Sequence, residues 1–440
     1  MAEFIAKRVR FQNGEHHSVL TRPGGLPVHE AALYLARHRK RGLAANSIHR
    51  ICGVLSLLYQ ELAHANIDLL GRLRQGQFLT VPELNRLSEA AQYGVDDLAA
   101  AETEEHRSRK IININRIRMR RKPAAVDVKA VSVATQATRI RYMADFLEFL
   151  SAYVWATLPA SQRRDLDRES AQALQAFRAQ VPRVSKRAKL GAREGLSKED
   201  QDRLLDFVHP DSPDNPWEHG FVRERNWLIV VLLLATGMRR GELLGLQIRD
   251  LDPRKPKLRI LRRADASEDP RRIQPNTKTN DREVELRPAI MRCVWRYIND
   301  QRGRIKAARK YPQLIVADDG KPLSLKSIDK IFRDLREACP GLPVSLSAHV
   351  MRHTWNERFS EQAEQMGLTD VVEQRARNEQ QGWADNSKTA ERYTRRHTSR
   401  KGRDLVLKLQ ENLDVSTTCE QSIDRPCHDL AGTGLYAHRQ

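Results

Sequence analysis

The sequence predicts a mainly α-helical chain with a small antiparallel β-sheet in its second half. Three observations carry that expectation. Apolar residues recur at helical spacing through most of residues 27–180. A basic stretch at 181–195, VPRVSKRAKLGAREG, then breaks the pattern. Pro182, Gly191 and Gly195, with few large apolar groups between them, make it read as a linker. Beyond it, Leu258–Leu261, Arg272–Gln274 and Glu283–Leu286 look like short strands set among helices, which predicts a three-stranded sheet.

In chain order, residues 1–26 are polar, contain the turn Gly24-Gly25 and show no clear period, so they form an N-terminal extension. Helices are expected at Glu30–Lys40 and at Ala45–Ala63, where Ile48, Ile51, Val54, Leu55, Leu58 and Leu62 make one stripe. Val81–Ala91 follows with Pro82 near its start. Gln136–Val154 carries Ile140, Tyr142, Met143, Phe146, Leu147 and Leu150 on one face, with Tyr142 and Tyr153 expected in the core, and Ser170–Ala179 closes the region. Residues 27–180 thus form one enlarged helical unit or two small ones. After the linker, Ser197 is placed to cap a helix. Asn226–Ala235 should be a core helix that breaks at Thr236-Gly237 and restarts over Arg240–Leu246. The second unit spans 196–410, and 411–440 reads as a polar tail.

Composition narrows the function. The chain of 440 residues is long enough for two or three domains. It holds 76 Lys and Arg against 56 Asp and Glu, a net charge of +20. Such a balance suits nucleic acid or an anionic membrane surface. The longest apolar run, Trp227–Ala235, is far short of the roughly 20 residues of a membrane span. Met1–Arg10 holds no apolar stretch like that of a signal peptide. A cytoplasmic protein that meets polyanions is the expectation. The cysteines (Cys52, Cys293, Cys339, Cys419 and Cys427) form no CxxC pair, and no metal site is expected.

Two basic segments are candidate DNA contacts. The stretch 106–123, HRSRKIININRIRMRRKP, alternates cations with Ile and Met and reads as a strand, a basic amphipathic helix or an extended arm. Its Arg107, Arg109, Lys110, Arg116, Arg118, Arg120 and Arg121 would neutralise phosphates along a duplex, as would Lys186, Arg187 and Lys189 of the linker.

Three further patches suit the breaking of a DNA strand without water. That chemistry needs a nucleophile, cations on the non-bridging oxygens and a proton for the leaving 5′-oxygen. In ATGMRRGELLGL, Arg239 follows a helix break and Glu242 stands three residues on, placed to orient it. In HVMRHT, His349 and Arg352 share a helix face. Gly382-Trp383 is followed by Tyr393, whose neighbours Glu391, Arg392, Arg395 and Arg396 suit an accessible position. Arg240 reads as a surface or DNA-backbone cation and His353 as a buried histidine. No GxxxxGK[ST] loop or metal-spaced acidic cluster is present.

Together these patches resemble the tyrosine recombinase, or phage integrase, family over about residues 196–400. TGMRRGEL resembles its first arginine box and HVMRH its second. Thr277-Lys278-Thr279 stands where the family carries a lysine on a β-hairpin. The resemblance implies a helical, SAM-like core-binding region before an α/β catalytic domain, the two closing as a clamp on DNA. It implies that Arg239 and Arg352 grip the scissile phosphate, with Glu242 orienting their surroundings. His349 would assist proton movement, Lys278 would protonate the leaving oxygen, and Trp383 would donate to a phosphate oxygen or pack beside it. Tyr393 would become a 3′-phosphotyrosyl ester, with no metal, ATP or other cofactor. Trp383 stands where many relatives have histidine, and the interval to Tyr393 is one residue longer than usual.

Implied partners are double-stranded target sites and three further copies in a homotetramer on DNA, with a monomer or weak oligomer in its absence. Accessory DNA-bending proteins, a nucleoid location and service to a mobile element are further implications. A type IB topoisomerase-like relaxing enzyme shares the chemistry, and an inactive DNA-binding relative is the third reading.

Overall fold

The computed structural model describes residues 4–93, 130–183, 194–263, 265–275, 279–387, 389–390 and 395–411. Lys278, Tyr393 and all ten candidate DNA-contact residues at 107–121 and 186–189 lie outside this set, as does most of the tail at 411–440. The described chain is mainly helical, with two small antiparallel sheets.

The first is an N-terminal hairpin of β1 (Ile5–Arg10) and β2 (His16–Thr21), in register from Ile5 opposite Thr21 to Arg10 opposite His16. Residues 1–26 were expected to lack a period, and the reason for the difference is chemical. The inward positions of β2 are His16, Ser18 and Leu20, so polar residues carry much of the alternation. Ser18 Oγ meets His49 Nδ1 at 3.1 Å, so the inward hydroxyl has a partner.

The hairpin lies on α2 (Ala45–His64), which follows α1 (His29–Lys40). Next come α3 (Leu69–Arg74), α4 (Val81–Ala90), α5 (Val133–Trp155) and α6 (Ala160–Ala179). Ile48, Ile51, Leu55 and Leu58 of α2 pack with Ile140, Met143, Phe146 and Leu147 of α5 and Phe177 of α6 in one core. Trp155 Nε1 donates to Leu73 O at 2.8 Å and ties α5 to α3. α6 starts ten residues before the expected Ser170. Its first half is exposed and polar, so no apolar stripe announces it. Tyr153 is not in the core: it is 51% exposed and stacks on Phe149, while Tyr142 is half-buried.

A second core gathers residues from Leu196 to Met351. Ser197 caps α7 (Lys198–Val208) by accepting from Asp200 N at 3.1 Å, as its sequence suggests. α8 (Gly220–Thr236) buries Leu228, Ile229, Leu232 and Leu233 and stops at Gly237, whose φ of 61° is left-handed. The short α9 (Arg240–Gly245) restarts the chain. β3 (Lys257–Ile260) pairs with β4 (Arg282–Glu285), Lys257 opposite Glu285 and Ile260 opposite Arg282.

The third strand expected at Arg272–Gln274 is not formed. Pro270 and Pro275 bracket this segment and cannot donate to a ladder. Gln274 Nε2 instead donates to Ala266 O and Asp269 O at 2.8 and 3.0 Å, holding a loop. Then follow α10 (Pro288–Arg296), α11 (Leu325–Ala338), α12 (Ala348–Gln365), α13 (Asp370–Gln381) and α14 (Arg395–Glu411). Among the described residues no helix is long and apolar enough to cross a membrane.

Candidate active site

Four segments distant in sequence meet beside α9. The first is the turn between α8 and α9. Its left-handed Gly237 sits where a side chain would strike Trp355, with Cδ2 only 2.7 Å from an added Cβ. That close approach lets the Gly237 carbonyl accept from Arg352 Nη1 at 2.7 Å. The second arginine of the pair is therefore tied, through backbone, to the turn that presents the first.

Arg239 precedes α9, and Glu242 lies in the first turn of that helix. The Glu242 side chain is fully buried and its two oxygens take four donors. Oε2 accepts from Arg239 N at 3.0 Å and from Arg282 Nη2 at 2.7 Å. Oε1 accepts from Arg239 Nη1 at 3.0 Å and from Thr279 Oγ1 at 2.8 Å. Burial pushes this carboxyl up, but the positive charges of Arg282, Arg352 and Arg239 outweigh burial and hold it at about 2. It is a carboxylate at any working pH. The Arg239 side chain keeps a third of its surface exposed, so its guanidinium is braced from within and open outward.

The second segment is α12, on which Arg352 is buried at 1% exposure. Its guanidinium lies over the Trp383 ring. His349, one turn earlier on the same helix, is exposed, and its ring stands edge-on to buried His353 at 4.8 Å. Arg240 points elsewhere: it is exposed and pairs with Asp329 of α11.

The third segment is the end of α13. Gln381 Nε2 donates to Thr236 O at 3.3 Å, and Gly382 terminates the helix with a φ of 61°. Trp383 is buried and packs with Ala390, three residues before Tyr393. Asn378 Nδ2 donates to Asp385 O at 2.8 Å, which fixes the start of the loop toward Tyr393.

The fourth segment is the arm of the hairpin after Lys278. Asn280 N donates to Gly382 O at 2.9 Å. A Cβ on Gly382 would meet Asn280 O at 2.7 Å, so only glycine permits this approach. The hairpin is thus held between Glu242 on one side and the Gly382 turn on the other.

Arg239, Glu242, Arg352 and Trp383 are therefore brought together among the described residues, with His349 exposed at the head of α12. Sequence reading missed Arg282, Thr279, Asn280 and Gln381. Arg282 did leave a signal. In Arg282-Glu283-Val284-Glu285 the alternation puts Arg282 on the inward face with Val284, and an inward arginine requires a buried anion.

Two guanidinium groups, Arg239 before α9 and Arg352 on α12, are thus held about the turn that ends α8, the first by the buried Glu242 carboxylate and the second by Gly237 O. Residues 195–400 match the model of the phage integrase family, so this part of the chain is similar to the tyrosine recombinases. The tyrosine recombinase XerD of Halalkalibacterium halodurans is 25% identical over 165 residues, which is 38% of this chain and 48% of that protein. The match thus spans about half the length of that relative.

Among solved structures, a lambda integrase dimer bound to a core site covers 83% of this chain and 95% of its own, at 14% identity and a TM-score of 0.42. The Tn1549 transposon integrase with transposon right-end DNA covers 62% and 85%, at 17% identity and a TM-score of 0.36. The XerH recombinase on a palindromic difH substrate covers 64% and 84%, at 16% identity and a TM-score of 0.39.

Proposed function

We propose that this protein is a site-specific DNA recombinase that breaks and rejoins strands through Tyr393. The observation that carries the reading is that Arg239 and Arg352 are held at the two sides of one turn, Arg239 by Glu242 and Arg352 by Gly237 O. In the proposed reaction the Tyr393 phenol oxygen attacks phosphorus. The bond to the 5′-oxygen breaks as the tyrosyl ester forms, leaving a 3′-phosphotyrosyl linkage and a free 5′-hydroxyl. Lys278 gives the leaving oxygen its proton, and His349 assists removal of the phenolic one. Arg239 and Arg352 hold the charge that grows on the non-bridging oxygens. Phosphotyrosine keeps the ester energy for rejoining, so neither ATP nor a metal is consumed.

The partner is double-stranded DNA, read in part by the basic segments at 107–121 and 186–189. Rearrangement of a mobile element through a tetramer on two sites is the fuller form of the proposal. Leu405, Val406, Leu407 and Leu409 are exposed on α14, which supports a helix that docks on a neighbouring protomer.

The test is covalent capture. The full-length chain is incubated in EDTA with a pool of nicked duplexes of random central sequence, and linked complexes are isolated under denaturing conditions. Sequencing the captured DNA gives the site, and peptide mapping should place the linkage on Tyr393. An adduct that persists in Tyr393→Phe, or that forms only with a divalent ion, overturns the mechanism.

A further inference from the structure

We propose that Arg282 is a positioning residue for strand cleavage: it neutralises Glu242, so that Arg239 is oriented by that carboxylate without having its charge cancelled. The inference rests on the reading of Arg239 as a phosphate clamp.

The argument begins with a conflict. Orienting an arginine with a carboxylate is effective because the fork and the acceptor match in geometry. The same contact offsets the cation that the phosphate needs. A fully buried Glu242 facing Arg239 alone would make a neutral pair, since little solvent reaches the carboxylate to screen it. The structure supplies a second cation at the same carboxylate. The Arg282 side chain is 4% exposed and donates to Glu242 Oε2 at 2.7 Å. Its Nη1 also donates to Thr279 Oγ1 at 3.3 Å, and Thr279 in turn donates to Glu242 Oε1. The charged groups facing Glu242 are Arg239 before α9, Arg282 on β4 and Arg352 on α12. Among the described residues one negative charge thus faces three positive ones, and Arg282, like Arg352, is buried. Arg239, a third exposed, keeps its charge for the ligand.

The division of labour has a chemical signature. Without Arg282, burial raises the Glu242 carboxyl toward the experimental pH range, because the largest opposing charge is gone. Protonated Glu242 no longer accepts from two Arg239 nitrogens, so cleavage acquires a dependence on pH that the intact site lacks.

The experiment uses the full-length chain and the duplex recovered by covalent capture, and follows single-turnover adduct formation from pH 5 to 8.5. Arg282→Gln should cleave ~10- to 100-fold more slowly at neutral pH, as expected when a reacting group is misplaced, with DNA affinity nearly unchanged. Its deficit should deepen as the pH falls. Arg282→Lys, which restores the charge, should recover much of the rate and the wild-type pH profile. The double variant Glu242→Gln/Arg282→Met has no carboxylate to titrate, so it should be slow but free of the new acid limb. It also serves if Arg282→Gln fails to fold, since it removes the buried carboxylate together with the Arg282 cation paired to it.

A wild-type rate and profile in Arg282→Gln overturns the inference, as does an acid limb that survives in the double variant. So does a deficit equal at every pH and not relieved by lysine. Absence of any adduct with the wild-type chain would instead sink the recombinase reading itself.

Discussion

The guanidinium carbon of Arg352 lies 5.1 Å from the centroid of the Trp383 ring. A buried cation resting on an indole face, with one nitrogen donated to Gly237 O, has its plane fixed from two sides. Trp383 therefore has a role that needs no proton: its ring face holds Arg352 in place.

That relationship makes a substitution series decisive. Trp383→Phe keeps an aromatic face and should retain adduct formation within a few-fold. Trp383→Ala removes the face and should cost ~10-fold, the scale of a desolvated cation–π contact. Equal losses in the two variants would mean that the indole N–H, not the face, carries the effect. Single-turnover cleavage rates separate the outcomes.

Gly237→Ala should damage stability and activity together. The residue has a left-handed φ, and the added Cβ would lie 2.7 Å from a Trp355 ring atom. A cost of about 1–3 kcal/mol is expected from backbone strain of this kind. The midpoint of denaturant unfolding should fall, and adduct formation should fall further than the folded fraction, because Gly237 O anchors Arg352. A variant with wild-type stability and rate would contradict the packing described.

Acid should unfold the second unit partly through Glu242. Its carboxyl, held at about 2 in the folded chain, lies below its ordinary value of 4.5. The depressed value means that the ionised form stabilises the fold above the ordinary value. That contribution is lost as the pH falls from about 4.5 toward 2, and its size is on the order of 3 kcal/mol. Denaturant titrations at pH 7, 4.5 and 2.5 should show wild type losing more stability over this window than Glu242→Gln. Parallel losses would mean that other carboxylates govern acid unfolding.

In the first unit, Trp155→Phe should lower stability by about 1–3 kcal/mol. The change removes one of two donors to Leu73 O, which keeps Gly76 N at 3.0 Å, and leaves space where the buried indole packed. Fluorescence-monitored unfolding checks the value, and cleavage chemistry should be little altered once protein is folded and DNA is saturating.

Much of this site was legible because its chemistry needs particular side chains. Arg239, Glu242, His349, Arg352 and Trp383 stand in short recognisable boxes, and the left-handed helix end at Gly237 is written as Thr236-Gly237. The long helices were legible too, since stripes such as Ile48, Ile51, Leu55 and Leu58 follow one period. What escaped notice lacks such a stripe. The hairpin at Ile5–Thr21 buries His16 and Ser18 beside Leu20, and the early half of α6 is polar apart from Ala160 and Leu166. Arg282 and Thr279 escaped for another reason: their meaning depends on Glu242, about forty residues away, and local pattern cannot report such a meeting. The segment Arg272–Gln274 shows the reverse error. Its local pattern suits a strand, but the flanking prolines and the Gln274 side chain hold it as a loop.

The bond from Asn280 N to Gly382 O joins two distant boxes through main chain alone. Natural drift at position 280 can change the side chain freely without touching that link, since every residue but proline brings the same N–H. Surveys that rank positions by tolerance to replacement will therefore pass over one of the joints that holds the site together. Only proline at 280, or an ester in place of that single amide, would expose it.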